Sequence, residues 1–107
     1  GRGADVAVIC GGTTSTEMQD RPNLSVDQEA FMVAVSKGIS STKTPGAVVT
    51  LTMTPGAVVM PWLEHTGAAL NIFLAGTYTG TAFASVLFGE TNPSAKSPVT
   101  FPITEFG

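Results

Sequence analysis

The sequence predicts an α/β domain with a mainly parallel sheet of three to four strands, flanked by helices. Three observations carry that expectation. Short apolar runs close on glycine, at Gly11-Gly12 and again at Ala75-Gly76. Segments with helical spacing lie between those runs, the alternation expected of strand–helix–strand units. Apolar residues make up 43% of the chain and charged residues only 12%, enough apolar surface for folding rather than disorder. At 107 residues the chain is read as one unit over 1–107, long enough for a core but small for an enzyme.

The elements follow in order. Val6-Ala7-Val8-Ile9-Cys10 is a continuous apolar run, the pattern of a strand buried on both faces, with Cys10 behaving as a small buried apolar residue. Ser25 and Gln28 have the spacing of a capping box, with Ser25 as N-cap. Behind it Phe31, Met32 and Val35 share one helical face, and Gly38 is the expected stop. After a linker rich in Ser, Thr and Lys, the residues from Ala47 to Met53 read as the second strand. Thr54-Pro55-Gly56 interrupts it, because proline cannot donate to a central ladder. A short helix is expected over 57–65, a third strand over 68–74, and a small-residue helix packed tightly on the sheet over 80–88. Pro98 to Pro102 reads as an extended tail at an edge. Thr-Pro-Gly-Ala-Val-Val occurs at 44–49 and at 54–59, but its period matches no solenoid and it is read as coincidence of composition.

The charge excludes some functions. Five basic residues scattered along a chain of net charge −3 do not form the clustered footprint that nucleic acid requires. No apolar run approaches the length of a membrane span. Gly1-Arg2-Gly3-Ala4-Asp5 carries no apolar stretch of the signal-peptide kind, and nothing else sets the compartment. A single cysteine, Cys10, excludes an internal disulfide and a cysteine-based zinc site. His65 beside Glu64 is a lone pair rather than a metal site, which needs several converging ligands. Trp62 reads as core or interface before ligand platform. Asn23-Leu24-Ser25 is a formal glycosylation sequon, relevant to a secreted chain.

Two motifs bear on chemistry. Gly11-Gly12-Thr13-Thr14-Ser15-Thr16 follows a strand, where phosphate-binding loops sit. It has neither G-x-G-x-x-G nor a Walker ending, and no helix follows at once to aim an N-terminus at an anion. Even so, the loop after a parallel strand is the usual ligand position in open α/β sheets. Inside it lies Glu17-x-x-Asp20-Arg21. Read from physics alone, this is a surface carboxylate followed by an Asp–Arg pair pinning a loop.

Four segments together resemble the later part of the second domain of glycoside hydrolase family 3, so that 1–107 is expected to be a partial domain. That family carries a segment of the form E-G-x-D-R-x-x-L after an apolar strand that begins near A-D, and a glutamine near the next helix. Here Ala4-Asp5, Glu17, Asp20-Arg21, Leu24 and Gln28 occur in that order. Its P-V-x-M-P-W is matched by Ala57-Val58-Val59-Met60-Pro61-Trp62. Its V-L-F-G-x-x-N-P-S-G-R-L-P-V-T-F-P is matched by Val86 to Pro102. The departures are specific. Met18 and Gln19 replace a glycine and an aromatic residue, Val26-Asp27 replaces a proline-containing turn, and Ala95-Lys96-Ser97 replaces Gly-Arg-Leu, which removes the positive φ that glycine allows. The segment 75–80 lacks an acidic residue between its glycines.

The resemblance implies a role for these residues. Retaining glycosidases use two carboxyl groups, one as nucleophile and one as acid then base. By resemblance the nucleophile is an aspartate of a preceding barrel domain, and Glu17 matches the acid/base glutamate. Asp20 and Arg21 are assigned to loop support and substrate binding, since Arg suits bidentate contacts as well as pinning. No cofactor and no metal are implied. The partners expected are a carbohydrate substrate together with that barrel, and a second copy of the chain through an open sheet edge. Without the barrel the chain is expected to be inactive, with Glu17 solvated. A non-catalytic carbohydrate-binding or interaction module of the same descent is the alternative, and a phosphate-binding α/β domain at Gly11-Gly12 is a third.

Overall fold

The structure, a computed structural model, describes residues 3–43 and 45–106. Gly1 and Arg2 of the N-terminal reading, and Thr44 of the repeat, lie outside the described residues. Within them the predicted class is found: a three-stranded parallel sheet in the order β1-β2-β3, with β1 Ala7–Gly12, β2 Val48–Met53 and β3 Ala68–Ile72. Helix α1 is Glu29–Ser40 and α2 is Thr79–Leu87. Both crossovers step the same way across the sheet. Right-handed crossovers in one direction place their connections on one side, and α1 accordingly packs with the 3-10 turn Pro61–His65 between β2 and β3.

Alternation along the strands separates the two faces. In register, Ile9 pairs with Thr50 and Thr50 with Ala69 on the α1 side. There Ile9, Val48, Val26, Met32, Val58 and Trp62 form the buried core. Trp62 is fully buried, a core residue as its position suggested. Methionine suits the close approach of α1 to β1, because its flexible thioether fills irregular gaps. A Cβ added at Gly11 would stand 2.3 Å from Met32 Sδ. The tail returns to the same side, where Phe101 packs on the core and its ring meets Phe73 at 6.4 Å between centroids.

The opposite face is open along β1, while Leu51 of β2, beside Cys10 in the register, is buried there at 8% exposure. Val8 is 47% exposed and Cys10 is exposed, so β1 is not buried on both faces and Cys10 is not the buried residue expected. The apolar run of β1 has cover from α1 alone. Helix α2 begins beside this face, with Thr79 Oγ1 donating to Gly76 O at 2.7 Å and standing 3.8 Å from Met53 Sδ, yet none of its residues is buried. The expected tight packing of 80–88 on the sheet is thus absent.

Other local expectations also change. The residues around Ser25 make no capping box: α1 starts at Glu29 with no side-chain cap. The helix runs through Gly38 to Ser40, since Gly38 is exposed on its outer side and the bonds of the last turn continue past it. Phe31 is 59% exposed and lies off the packed face, which is made by Met32, Val35, Ser36 and Ile39. The helix expected over 57–65 is only the 3-10 turn at its end, because Val58 is drawn into the core and Val59 N bonds Leu24 O at 3.0 Å. The tail over 98–102 forms no strand.

Candidate active site

The loop from Thr13 to Gln28 joins β1 to α1 at the C-terminal end of the parallel strands. Its base is held by α1's leading residues. Gly12 N donates to Gln28 Oε1 at 2.8 Å and Thr14 N to Asp27 Oδ2 at 2.8 Å. Asp27 N returns a bond to Gly12 O at 2.9 Å. The bond to a carboxylate is charge-assisted and stronger than a neutral one. On the other flank Thr13 N reaches Met53 O at 3.2 Å. A Cβ at Gly12 would stand 3.0 Å from that same carbonyl, so glycine permits the approach that keeps the loop base on the sheet.

Beyond this base the loop doubles back. Thr16 and Gln19 form an isolated antiparallel bridge, with Glu17 and Met18 at the tip. Met18 has φ +65°, and among the described residues it is the one non-glycine residue with positive φ. The backbone therefore keeps a left-handed turn where an L side chain is disfavoured. By the same measure Ala95 avoids positive φ, as its replacement of glycine requires. Residues 14 to 20 are all exposed. The Glu17 carboxylate is held by none of the described residues; only its backbone oxygen accepts a bond, from Thr16 Oγ1 at 3.5 Å.

Arg21 is half-buried and turned inward. Its Nη2 donates to Ser25 O at 2.6 Å, which closes the turn 21–25. Asn23 Oδ1 accepts from Ser25 N at 3.1 Å, and Leu24 N donates to Glu105 Oε1 at 2.6 Å, tying the loop to the tail. Asp20 is exposed. Asp20 and Arg21 line one shallow depression of about 220 Å³ with Thr14, Thr16 and Gln19. The structure thus brings Asp20 and Arg21 together and leaves Glu17 at the projecting tip beside them. Sequence reasoning missed the clamp: Gln28 was expected to cap the helix and Asp27 counted only as a departure. The signal was present in two consecutive acceptors just before a helix, opposite the N–H groups of Gly12 and Thr14.

Among the described residues no group of three or more His, Cys, Asp or Glu is placed to hold a metal ion. No described helix is long and apolar enough to cross a membrane.

Comparison with known proteins adds to this geometry. Residues 1–106 match the model of the glycosyl hydrolase family 3 C-terminal domain. Thermostable beta-glucosidase B of Acetivibrio thermocellus is 34% identical over 105 residues, covering 94% of this chain and 13% of its own length. "Probable beta-glucosidase I" of Emericella nidulans is 38% identical over 103 residues, covering 94% of this chain and 12% of its own. The solved structure of DesR, a beta-glucosidase from Streptomyces venezuelae in complex with D-glucose, superposes with a TM-score of 0.82 at 34% identity, over 94% of this chain and 12% of that one. The chain spans about an eighth of the length of these relatives.

Proposed function

Because this chain belongs to glycosyl hydrolase family 3 through its C-terminal domain, we propose that it works within a longer β-glycosidase, β-glucosidase-like, and supplies the acid/base carboxyl, Glu17. One observation carries the reading. Glu17 stands at the exposed tip of a turn whose base Asp27 and Gln28 clamp to the end of a parallel strand. A carboxyl held that way reaches outward to a bond supplied by another domain, without support from its own.

The chemistry follows from the retaining scheme. A nucleophile outside this chain attacks the anomeric carbon while the Glu17 carboxyl gives its proton to the leaving oxygen. The resulting carboxylate then takes a proton from water as that water displaces the enzyme nucleophile. A carboxyl is protonated near neutral pH only when partly desolvated or beside another carboxylate. Docking of the nucleophile's domain over the exposed tip meets both needs, so the chain alone is assigned no turnover. Arg21 holds the turn through Ser25, and Asp20 beside it is assigned to a sugar hydroxyl. The open outer edge of β1 is assigned to pairing with a further strand, a second copy when the chain is alone. A monomer at every concentration in sedimentation would remove that last assignment.

Glu17→Gln in the longer enzyme tests the acid/base role. Loss of the acid should depress kcat/KM on alkyl glucosides by about 100-fold or more. Aryl glucosides with acidic leaving groups, which need no proton, should lose far less. Equal loss on both, or none, would overturn the role. Measurable hydrolysis of an aryl β-glucoside by the 107-residue chain, abolished by the same change, would overturn its inactivity alone.

A further inference from the structure

We propose that Met18 sets the leaving-group preference of this site, favouring glycosides whose aglycone is apolar. The inference rests on the acid/base reading of Glu17 and goes beyond it by naming a substrate class.

Three features of Met18 converge. Its side chain is fully exposed, at 104%, so it packs on none of the described residues. Its φ of +65° is a conformation that disfavours any residue with a Cβ, and glycine alone adopts it freely. It also adjoins Glu17 in the turn bridged by Thr16 and Gln19. A large apolar side chain in that conformation costs free energy twice, once in backbone strain and once in exposed apolar surface. Neither cost is offset by the described residues, and we assign the offsetting contact to a group outside them.

Glu17 identifies that contact. Met18 follows Glu17 directly, their Cα atoms about 3.8 Å apart, so both side chains leave the same exposed tip. The proton goes to the oxygen between the sugar and its leaving group. The donor's neighbour at a projecting tip therefore meets the leaving-group side of that bond. Methionine's flexible, polarizable thioether adapts to varied apolar shapes, aromatic rings included. It offers no hydrogen bond of the strength a sugar hydroxyl uses.

The test compares octyl and methyl β-glucoside in the longer enzyme. Both release alkoxides of similar basicity, so their ratio of kcat/KM reads apolar contact separately from proton donation. Met18→Gly keeps the left-handed turn and removes the side chain. It should lower the octyl-to-methyl ratio about tenfold, in the range one apolar contact supplies. Met18→Leu should restore most of it. An unchanged ratio in Met18→Gly overturns the proposal. So does an equal fall on both substrates, which would place Met18 against protein of the adjoining domain. Glu17→Gln separates the two readings. Should it leave alkyl glucosides fully active, the acid/base assignment fails, whatever the ratio does. Should it suppress them while Met18→Gly leaves the ratio intact, only the aglycone assignment fails. Where Met18→Gly gives no soluble enzyme, Met18→Asn, which tolerates positive φ and is polar, must still lower the ratio.

Discussion

The two faces of the sheet are built from the same three strands and end in different states. On the α1 side Ile9 is 4% exposed, and Val48, Trp62 and Met32 are fully buried. On the other side Val8 is 47% and Met53 37% exposed, with Cys10 exposed between them. Both sides of β1 are nonetheless apolar. Apolarity of a strand records what it needs covered, and the covering element is a separate fact. In this chain α1, the 3-10 turn and the tail cover one face, while α2 meets the other through Thr79 at its start and buries none of its own residues.

The largest effect that tests this contrast should come from Trp62→Ala. Its indole is fully buried with Nε1 unbonded, so the loss is of packing, about 3–5 kcal/mol. Urea unfolding of the 107-residue chain should show this as a lower midpoint or no cooperative transition. A loss below about 1 kcal/mol would mean that the α1 face is not the core. Next in size is Asp27→Ala, which removes the acceptor of Thr14 N. A hydrogen bond to a charged group contributes about 1.5–3 kcal/mol, less here because the bond is exposed. Amide hydrogen exchange at Thr14 should accelerate at least tenfold, with the strand amides of β2 unchanged.

Met18→Gly should act in the opposite direction. Relief of the left-handed strain, about 1–2 kcal/mol, less glycine's entropy cost of about 0.5–1 kcal/mol, leaves a gain of about 0.5–1 kcal/mol. A measured loss of stability would mean that the side chain is held in its own domain. The smallest effect is expected for Val8→Ser on the open face, within about 0.5 kcal/mol. Binding of a dye for apolar surface should fall with it. A loss comparable to that of Trp62→Ala would show that this face is covered too, and would erase the contrast.

These differences also explain what was legible in the sequence. The strands were, within a few residues, because short apolar runs closed by glycine or proline depend on local chemistry. The centre of α1 was legible too, through Met32 and Val35. Its ends were not. Gln28 is committed to Gly12 N across the loop, a distant demand that overrides the local capping pattern. Gly38 sits on the outer side of α1, where neighbouring bonds carry the helix past it. Phe31 falls one residue off the packed stripe, an error that helical spacing alone permits when apolar residues are consecutive. For the site, Glu17, Asp20 and Arg21 stood out by spacing and family resemblance. The inward turn of Arg21 to Ser25 was not visible, because it depends on a loop closure rather than on residue type.

The bond from Leu24 N to Glu105 Oε1 joins residues 81 positions apart. A growing chain emerges from its N-terminus, at roughly 5–20 residues per second. The strand, turn and helix around Glu17 are therefore all outside the ribosome seconds before Glu105 is made. The segment that bears the candidate proton donor gains this tether only after the 81 residues that follow Leu24 have been made, which makes the tail the timer of the site.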